Sequence, residues 1–294
     1  MNKRTKGEKI FAVFNTIGLL LLCIICILPV WHVAMGSISD PLKVSATSGL
    51  YLHPLGTPTL GGYKLIFQNS TIVRAYGNTI FYVVVATSIG LILNILAAYC
   101  LSKTNLTFNK QFSLLVMFTM IFNGGLVPTF IVINKLGMLD TRWAMILPGA
   151  LSAYNIIIMR TSFMEIPSEM IEAATIDGAS DFKILMQIIL PVSKAIIAVI
   201  VLFYAIQHWN SWFNASIYLI KRRDLYPLQL VLREIVLQST ENAIVADADG
   251  QDVMIYRPLI KYATIMVSVI PMMIVYPFVQ KYFVSGVMIG SVKG

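Results

Sequence analysis

Residues 165–191, EIPSEMIEAATIDGASDFKILMQIILP, form a polar and acidic segment between two long apolar stretches of the chain. Pro167 suits the first position of a helix, and Glu169 falls in the early turns, where an acidic side chain interacts favourably with the helix dipole. Gly178 suits the C-terminal turn of this helix, and Ser180 can cap a second helix. The segment therefore predicts a helix, a turn and a second helix that leads into the apolar stretch after Pro191.

The predicted first helix carries Glu172 beside a pair of small residues, Ala173 and Ala174, on which another surface could close. The predicted second helix is amphipathic, with Phe182 and Leu185 among its apolar positions. Taken alone, these residues leave two interpretations open. The segment is either a docking surface for a partner or an ordinary amphipathic connector on the bilayer surface.

The composition places the chain among membrane proteins. Of 294 residues, 57% are hydrophobic and 12% are charged, whereas soluble domains carry about 25% charged residues. The net charge of +8 is interpreted as Lys and Arg flanking a membrane, because no basic patch is interleaved with stacking aromatics as a nucleic-acid groove requires. Cys23, Cys26 and Cys100 lie in apolar runs without nearby metal-ligand partners, so we expect neither a disulfide framework nor a metal site.

Six apolar segments are long enough to cross about 30 Å of hydrocarbon at about 1.5 Å per residue. With these limits, every Lys, Arg, Asp and Glu lies outside a span, which avoids the cost of charges at the bilayer centre. The sequence thus predicts one all-α transmembrane domain over residues 1–294. The predicted spans are approximately 11–35, 76–101, 111–134, 143–159, 195–220 and 262–280.

Basic residues near the N-terminus set the predicted orientation. Lys3, Arg4, Lys6 and Lys9 precede the first span, and short basic segments favour the cytoplasmic side. The following apolar run of residues 11–35 is longer than the hydrophobic region of a signal peptide, so we expect it to be retained. Six spans then place both termini and residues 165–191 in the cytoplasm.

One motif within residues 165–191 carries a family resemblance. Glu172-Ala173-Ala174, Gly178, Ile188, Leu190 and Pro191 match the EAA-x3-G-x9-I-x-L-P signature of ABC importer permeases without a change in spacing. Asp177 and Ala179, which flank the glycine, resemble the carbohydrate-uptake branch, and the single set of six spans resembles the second permease of maltose-type importers. The resemblance implies a type I importer fold in which this segment, here called the coupling loop, docks on an ATP-binding subunit.

The resemblance extends along most of the chain and includes residues 123–128 and the C-terminal tail Ser291-Val292-Lys293-Gly294. In maltose-type permeases the tail contacts the ATPase subunits. The implied partners are a second permease, two ATPase subunits that hold ATP and Mg²⁺, an extracytoplasmic sugar-binding protein and an oligosaccharide, with no cofactor in this chain. The tail and residues 123–128 most resemble a subgroup that handles plant-wall oligosaccharides, including uronate- and rhamnose-containing ones.

Amide side chains in the predicted fifth span indicate a solute pathway. Gln207, Asn210 or Ser211, and Asn214 recur at the spacing of one helical stripe, and amides can donate and accept hydrogen bonds to sugar hydroxyls. The alternative is that these polar groups join neighbouring helices. Further pathway candidates are the aromatic side chains Trp209, Trp212 and Phe213 and the amides Asn94, Asn123 and Asn155.

No residue pattern supports catalysis by this chain. The sequence has no G-x-x-x-x-G-K-[ST] phosphate loop, and no acidic residue falls within a predicted span to partner His208 in a proton relay. The acidic run Asp247, Asp249 and Asp252 is interpreted as a solvated loop, with an ion site as the alternative. We therefore predict a non-enzymatic transport subunit that takes energy from a partner, with a stand-alone secondary transporter or channel as the competing class.

Overall fold

The computed structural model describes residues 5–103, 105–238 and 251–291, and all regular secondary structure within those ranges is helical. The predicted all-α class is confirmed. The first eight helices are α1 Lys6–Ser37, α2 Pro41–Ala46, α3 Gly61–Gln68, α4 Ser70–Ser102, α5 Asn109–Ile121, α6 Leu126–Lys135, α7 Trp143–Ile146 and α8 Ala153–Met164. The remaining α-helices are α9 Ser168–Ile176, α10 Asp181–Ile184, α11 Leu190–Val192, α12 Lys194–Trp209, α13 Trp212–Tyr218, α14 Leu228–Gln238 and α15 Gln251–Ser291.

The chain divides into two compact units. The first lies within Met1–Val73 and Glu234–Ile270, and the second within Arg74–Arg233 and Pro271–Gly294. In the first unit, Val44, Tyr51 and Leu259 form a small buried cluster. His32 Nδ1 accepts a hydrogen bond from the backbone N–H of Tyr51 at 2.9 Å, which fixes the loop after α2 against α1.

The second unit is held by buried polar contacts between its helices as well as by apolar packing. The Tyr204 hydroxyl of α12 donates to the carbonyl of Ala150 at 3.1 Å, and the amide of Asn94 on α4 donates to the same hydroxyl. At the other end of α4, the Tyr82 hydroxyl donates to the carbonyl of Leu225 at 2.8 Å. Since such buried groups would otherwise be unsatisfied, these contacts fix how α4 and α12 pack.

Three described helices are long and apolar enough to cross a membrane alone, namely α1, α4 and the Pro258–Pro277 part of α15. Two sharply bent helix pairs raise the number to at most five if each pair is one span. The predicted stretch 143–159 contains no such helix, because it is divided between α7 and α8 with Pro148-Gly149 in between. Proline and glycine both weaken helices, so the six-span count is not confirmed.

Two other predicted spans are interrupted. Residues 111–134 are divided between α5 and α6, which meet at 112°, and Gly125 between them adopts φ +91°. Residues 195–220 are divided between α12 and α13 at Asn210-Ser211. Both side chains donate hydrogen bonds to backbone carbonyls of the preceding turn. Asn210 Nδ2 donates to Ile206 at 3.0 Å, and Ser211 Oγ donates to His208 at 2.8 Å. Such side chains compete with the helix for its last carbonyls.

Candidate functional site

The coupling loop folds as a helix, a glycine turn and a second helix. α9 ends in a pair of backbone bonds, from Gly178 N–H to the carbonyl of Thr175 at 3.0 Å and from Ala179 N–H to that of Ala174 at 2.9 Å. This is the Schellman pattern, which requires the left-handed backbone that Gly178 adopts at φ +75°. Glycine reaches that conformation without steric cost.

The second helix of the coupling loop starts and ends at identifiable residues. The Ser180 side chain caps α10 by accepting a hydrogen bond from the N–H of Lys183, as predicted. At the start of the first helix, Pro167 is the N-cap of α9 and does not occupy its first turn. After α10 the backbone widens into a π-helix over Leu185–Ile189. Pro191 explains this turn, because a proline has no N–H and its ring crowds the carbonyl four residues earlier.

Apolar packing anchors the inner side of the coupling loop. Ile184, Leu185 and Ile189 are each at most 3% exposed and belong to one cluster with Tyr99 of α4 and Phe163 of α8. Burying each side chain of this kind contributes about 1.5–3 kcal/mol. Ala174, Ala179 and Leu190 of the signature pack against the same cluster. The loop is therefore fixed to the ends of α4 and α8 and to α12.

Polar contacts to Asp181 add to this anchoring. The Tyr99 hydroxyl donates to the carbonyl of Asp181 at 3.1 Å, and Lys103 forms an ion pair with the Asp181 carboxylate. That carboxylate is largely exposed, and exposed ion pairs contribute only about 0–1 kcal/mol. The apolar cluster consequently dominates the attachment of the loop.

The outer side of the coupling loop remains open. No residue of α9 is buried, and Glu172, Ala173 and Asp177 are exposed. Three large apolar side chains also face away from the chain, with exposed fractions of 43% for Met170, 86% for Ile176 and 65% for Phe182. Exposed apolar side chains on an anchored helix suit contact with another apolar surface, which fits both interpretations of the segment, a docking surface for a partner and a connector on the bilayer surface.

Beyond α12, amide side chains meet in a cavity of about 170 Å³, here called the amide pocket. Gln207, Asn210, Ser211 and Asn214 all line it, so the predicted set comes together although the helix is broken. The prediction of one continuous helical stripe is wrong, for the reason given above: Asn210 and Ser211 bond to the end of α12. Neither the Gln207 nor the Asn214 side chain is hydrogen-bonded to another described residue, so both can meet a solute.

Sequence reasoning missed the opposite wall of the amide pocket. Ala144, Met145, Pro148 and Gly149 supply it, and a Cβ added at Gly149 would lie 3.0 Å from Gln207 Nε2. The Pro-Gly pair within an apolar stretch was the available signal for this wall. His208 also lines the pocket, and its buried Nε2 has no hydrogen-bond partner in the part of the chain that the structure describes.

Four other predicted residues lie elsewhere. Trp209 is buried and meets Tyr76 edge-on at 6.0 Å, and Trp212 packs under the guanidinium of Arg233 at 4.1 Å. Asn155 is buried on α8 beside Tyr204, and Asn123 caps the turn between α5 and α6 by accepting from Gly125 N–H at 2.8 Å. These four make structural contacts.

Most of the acidic run and of the C-terminal tail lies outside the described residues, and Asp252 falls at the start of α15. Asp247, Asp249 and Val292–Gly294 lie outside the described residues, and Ser291 ends α15. Among the described residues, no cluster of His, Cys, Asp or Glu could hold a metal ion.

Comparison with known proteins identifies the class. The chain is 39% identical over 290 residues to "Protein LplC" of Bacillus subtilis, covering 99% of this chain and 97% of that protein. It is also 39% identical over 276 residues to the "Polygalacturonan/rhamnogalacturonan transport system permease protein YtcP" of Bacillus subtilis, covering 94% and 96%. No family model matches the chain.

The structural comparison agrees. A chain of the "Crystal structure of a bacterial ABC transporter involved in the import of the acidic polysaccharide alginate" is 32% identical, with a TM-score of 0.88, covering 96% of this chain and all of that chain. The chain therefore belongs to the carbohydrate-uptake family of ABC importer permeases. Permeases of this family are non-catalytic membrane proteins that act with a partner permease, ATPase subunits and a solute-binding protein.

Proposed function

We propose that the chain is one permease of an importer for acidic oligosaccharides, which its solute-binding protein delivers from outside. Two different permeases form the pathway through six spans each, and two ATPase subunits with ATP and Mg²⁺ lie beneath them. Both termini and the coupling loop are cytoplasmic. The acidic substrate is supported by the named substrates of two relatives, polygalacturonan and alginate, since both polymers are built from uronate sugars.

The coupling loop carries the proposal. Its outer side exposes Glu172 and Ile176 to an ATPase subunit, and its inner side is packed against α4, α8 and α12. When ATP closes the ATPase dimer, movement of α9 is passed to these helices because the packed cluster resists deformation. The permease then rocks between inward-facing and outward-facing states.

The amide pocket supplies the pathway contact in this mechanism. Gln207 and Asn214 present both donors and acceptors to a passing sugar. Pairing sugar hydroxyls in this way compensates for the water that they lose. The tail Ser291–Gly294 is proposed to contact the ATPase subunits.

Uptake by the whole complex in proteoliposomes tests this function. Labelled trigalacturonate should accumulate only with ATP, the binding protein and ATPase subunits able to hydrolyse ATP. Complexes with an inactive ATPase subunit serve as the matched control. Uptake by the purified chain without any ATPase subunit would contradict the proposal and support a stand-alone transporter.

A further inference from the structure

A second cavity, which the motifs did not indicate, lies in the Arg74–Arg233 unit and is lined by three arginines. It is an open cavity with a volume of about 640 Å³, within the range of about 300–1,000 Å³ that small-molecule sites occupy. We call it the arginine pocket. Its charged lining residues are Arg74 at the start of α4, Asp140 and Arg142 before α7, and Arg222 and Asp224 after α13.

The two carboxylates of the arginine pocket have partners within the chain. The Arg222 guanidinium donates one hydrogen bond to each carboxylate oxygen of Asp224, and both N···O distances are 2.8 Å. This hydrogen bonding holds the pKa of the Asp224 carboxyl below its usual value. Asp140 accepts from the backbone N–H groups of Lys221 at 2.7 Å and Arg222 at 3.2 Å. Both acids therefore build the walls of the pocket.

The other two arginines keep most of their donors available. No hydrogen bond or ion pair joins the Arg74 side chain to another described residue. Arg142 makes one long contact, 3.5 Å to Asn78 Oδ1, and its guanidinium rests over the Phe81 ring at 4.5 Å. The Asn78 side chain is itself fixed, because its Nδ2 donates a hydrogen bond to the backbone carbonyl of Asp224 at 2.8 Å. Arg142 is thus positioned from two sides, while its remaining N–H groups have no hydrogen-bond partner among the described residues.

The arginine pocket and the amide pocket share a wall. Helix α7 lines the first with Trp143 and the second with Ala144 and Met145. The proposed orientation puts the start of α4 and the loops before α7 and after α13 on the external side. A solute that arrives from outside would therefore meet charged donors first and neutral amides second.

We propose that the arginine pocket is a binding site for the carboxylate of a uronate sugar, with Arg74 and Arg142 as its ligands. Guanidinium groups bind carboxylates with charge-assisted and often paired hydrogen bonds, which neutral sugars cannot form. The pocket selects acidic saccharides before they reach the amide pocket. This inference rests on the proposed function, because it assumes both import and the external position of these loops.

Competitive uptake by the reconstituted complex tests the site. Trigalacturonate and a neutral galactose trisaccharide are supplied together, with wild type, Arg74→Gln, Arg142→Gln and Arg223→Gln. Arg223 is an exposed arginine next to Arg222 that does not line the pocket, so it is the matched control. Each pocket variant should lower the preference for the acidic sugar by about tenfold or more, and Arg223→Gln should leave it unchanged.

Three results would contradict the proposal that Arg74 and Arg142 bind the carboxylate. An unchanged preference would show that the arginines do not contact the carboxylate, and an equal loss for both sugars would indicate only a structural role. A rise in the half-saturating concentration of binding protein, with an unchanged sugar preference, would assign the arginines to docking of that protein. If the wild-type complex imports no trigalacturonate, the proposed substrate class fails as well, which separates this case from the other three.

Discussion

The two ends of α12 differ in how their polar groups are satisfied. Before Lys194, the coupling loop is packed on a buried apolar cluster and its turn is closed by two backbone hydrogen bonds. The helix breaks after Trp209, and Gln207 before the break and Asn214 after it line a cavity without side-chain partners among the described residues. Under the proposed function, the first end transmits movement and the second binds the solute.

This difference is the reason why we propose both roles for one helix. A packed cluster moves as a unit, because small shifts in a close-packed interior are opposed from all sides. Unpaired amides beside a cavity instead gain hydrogen bonds when a polar solute enters. If the account is right, substitutions at the first end should uncouple transport, and those at the second should alter passage of the solute.

The largest effect is expected at the turn of the coupling loop. Gly178→Val places a β-branched residue at φ +75°, which costs about 1–3 kcal/mol. Distortion of the turn should lower ATP-driven uptake by about tenfold or more while ATPase subunits still hydrolyse ATP. Gly178→Asn, which tolerates the left-handed conformation, should retain most uptake.

Gly137 offers a matched control for that substitution. It follows α6 at φ +66° and forms the same pair of bonds, Gly137 N–H to the carbonyl of Asn134 at 2.9 Å and Met138 N–H to that of Ile133 at 3.1 Å. Gly137→Val introduces equal strain far along the chain from the coupling loop. Equal losses of uptake from Gly137→Val and Gly178→Val would argue against a special role for the coupling loop.

A smaller effect is expected from filling the amide pocket. Gly149→Leu would direct a side chain at Gln207 and His208, which lie 3.0 and 3.6 Å from an added Cβ. Uptake should fall by about fivefold, which corresponds to the lower end of the cost of overpacking, about 1 kcal/mol, with assembly and basal ATP hydrolysis retained. Gly77→Leu, whose Cβ meets no atom within 4 Å, is the control. Unaltered uptake in Gly149→Leu would place the solute elsewhere.

Between the two ends, the buried Tyr204 hydroxyl should contribute to stability rather than to transport chemistry. Tyr204→Phe removes the bonds to Ala150 and Asn94, and each such hydrogen bond contributes about 0.5–1.5 kcal/mol to stability. Thermal unfolding in detergent should occur at a lower temperature. Tyr154→Phe, on a residue that is 52% exposed, should leave the unfolding temperature unchanged, and similar shifts in both variants would contradict this role.

The smallest effect is expected at the ion pair of the coupling loop. Asp181→Asn removes the charge that faces Lys103, a loss of about 0–1 kcal/mol for an exposed pair. Uptake should change by less than about threefold at physiological salt. Lys103→Gln and the double variant complete a cycle. A loss greater than that of Gly178→Val would show that the ion pair, rather than the apolar cluster, holds the loop.

The coupling loop was the most predictable region of the chain. Its signals are local, since a left-handed glycine turn and a serine cap depend on residues within one helical turn. The π-helix before Pro191 was not predicted, although proline supplied its cause. The amide pocket was predicted in its residues but not in its backbone, because side-chain bonds from Asn210 and Ser211 end the helix that the hydrophobic pattern continues.

The arginine pocket could not be predicted from the sequence. Arg74, Arg142 and Arg222 lie in three separate segments, and only tertiary packing brings them to one cavity. Within any one segment, each arginine looked like a basic residue that flanks a membrane span. The fourth span was predicted from apolar composition, which does not register that Pro148-Gly149 divides it.

Contact between the coupling loop and an ATPase subunit is the central claim, and a photo-crosslinking amino acid at Ile176 tests it most directly. Ile121 of α5 is the control, because its side chain is 87% exposed against 86% for Ile176. In the assembled complex, the residue at position 176 should crosslink to an ATPase subunit and that at position 121 should not. Absence of this crosslink at position 176, or equal crosslinking from both positions, would contradict the account.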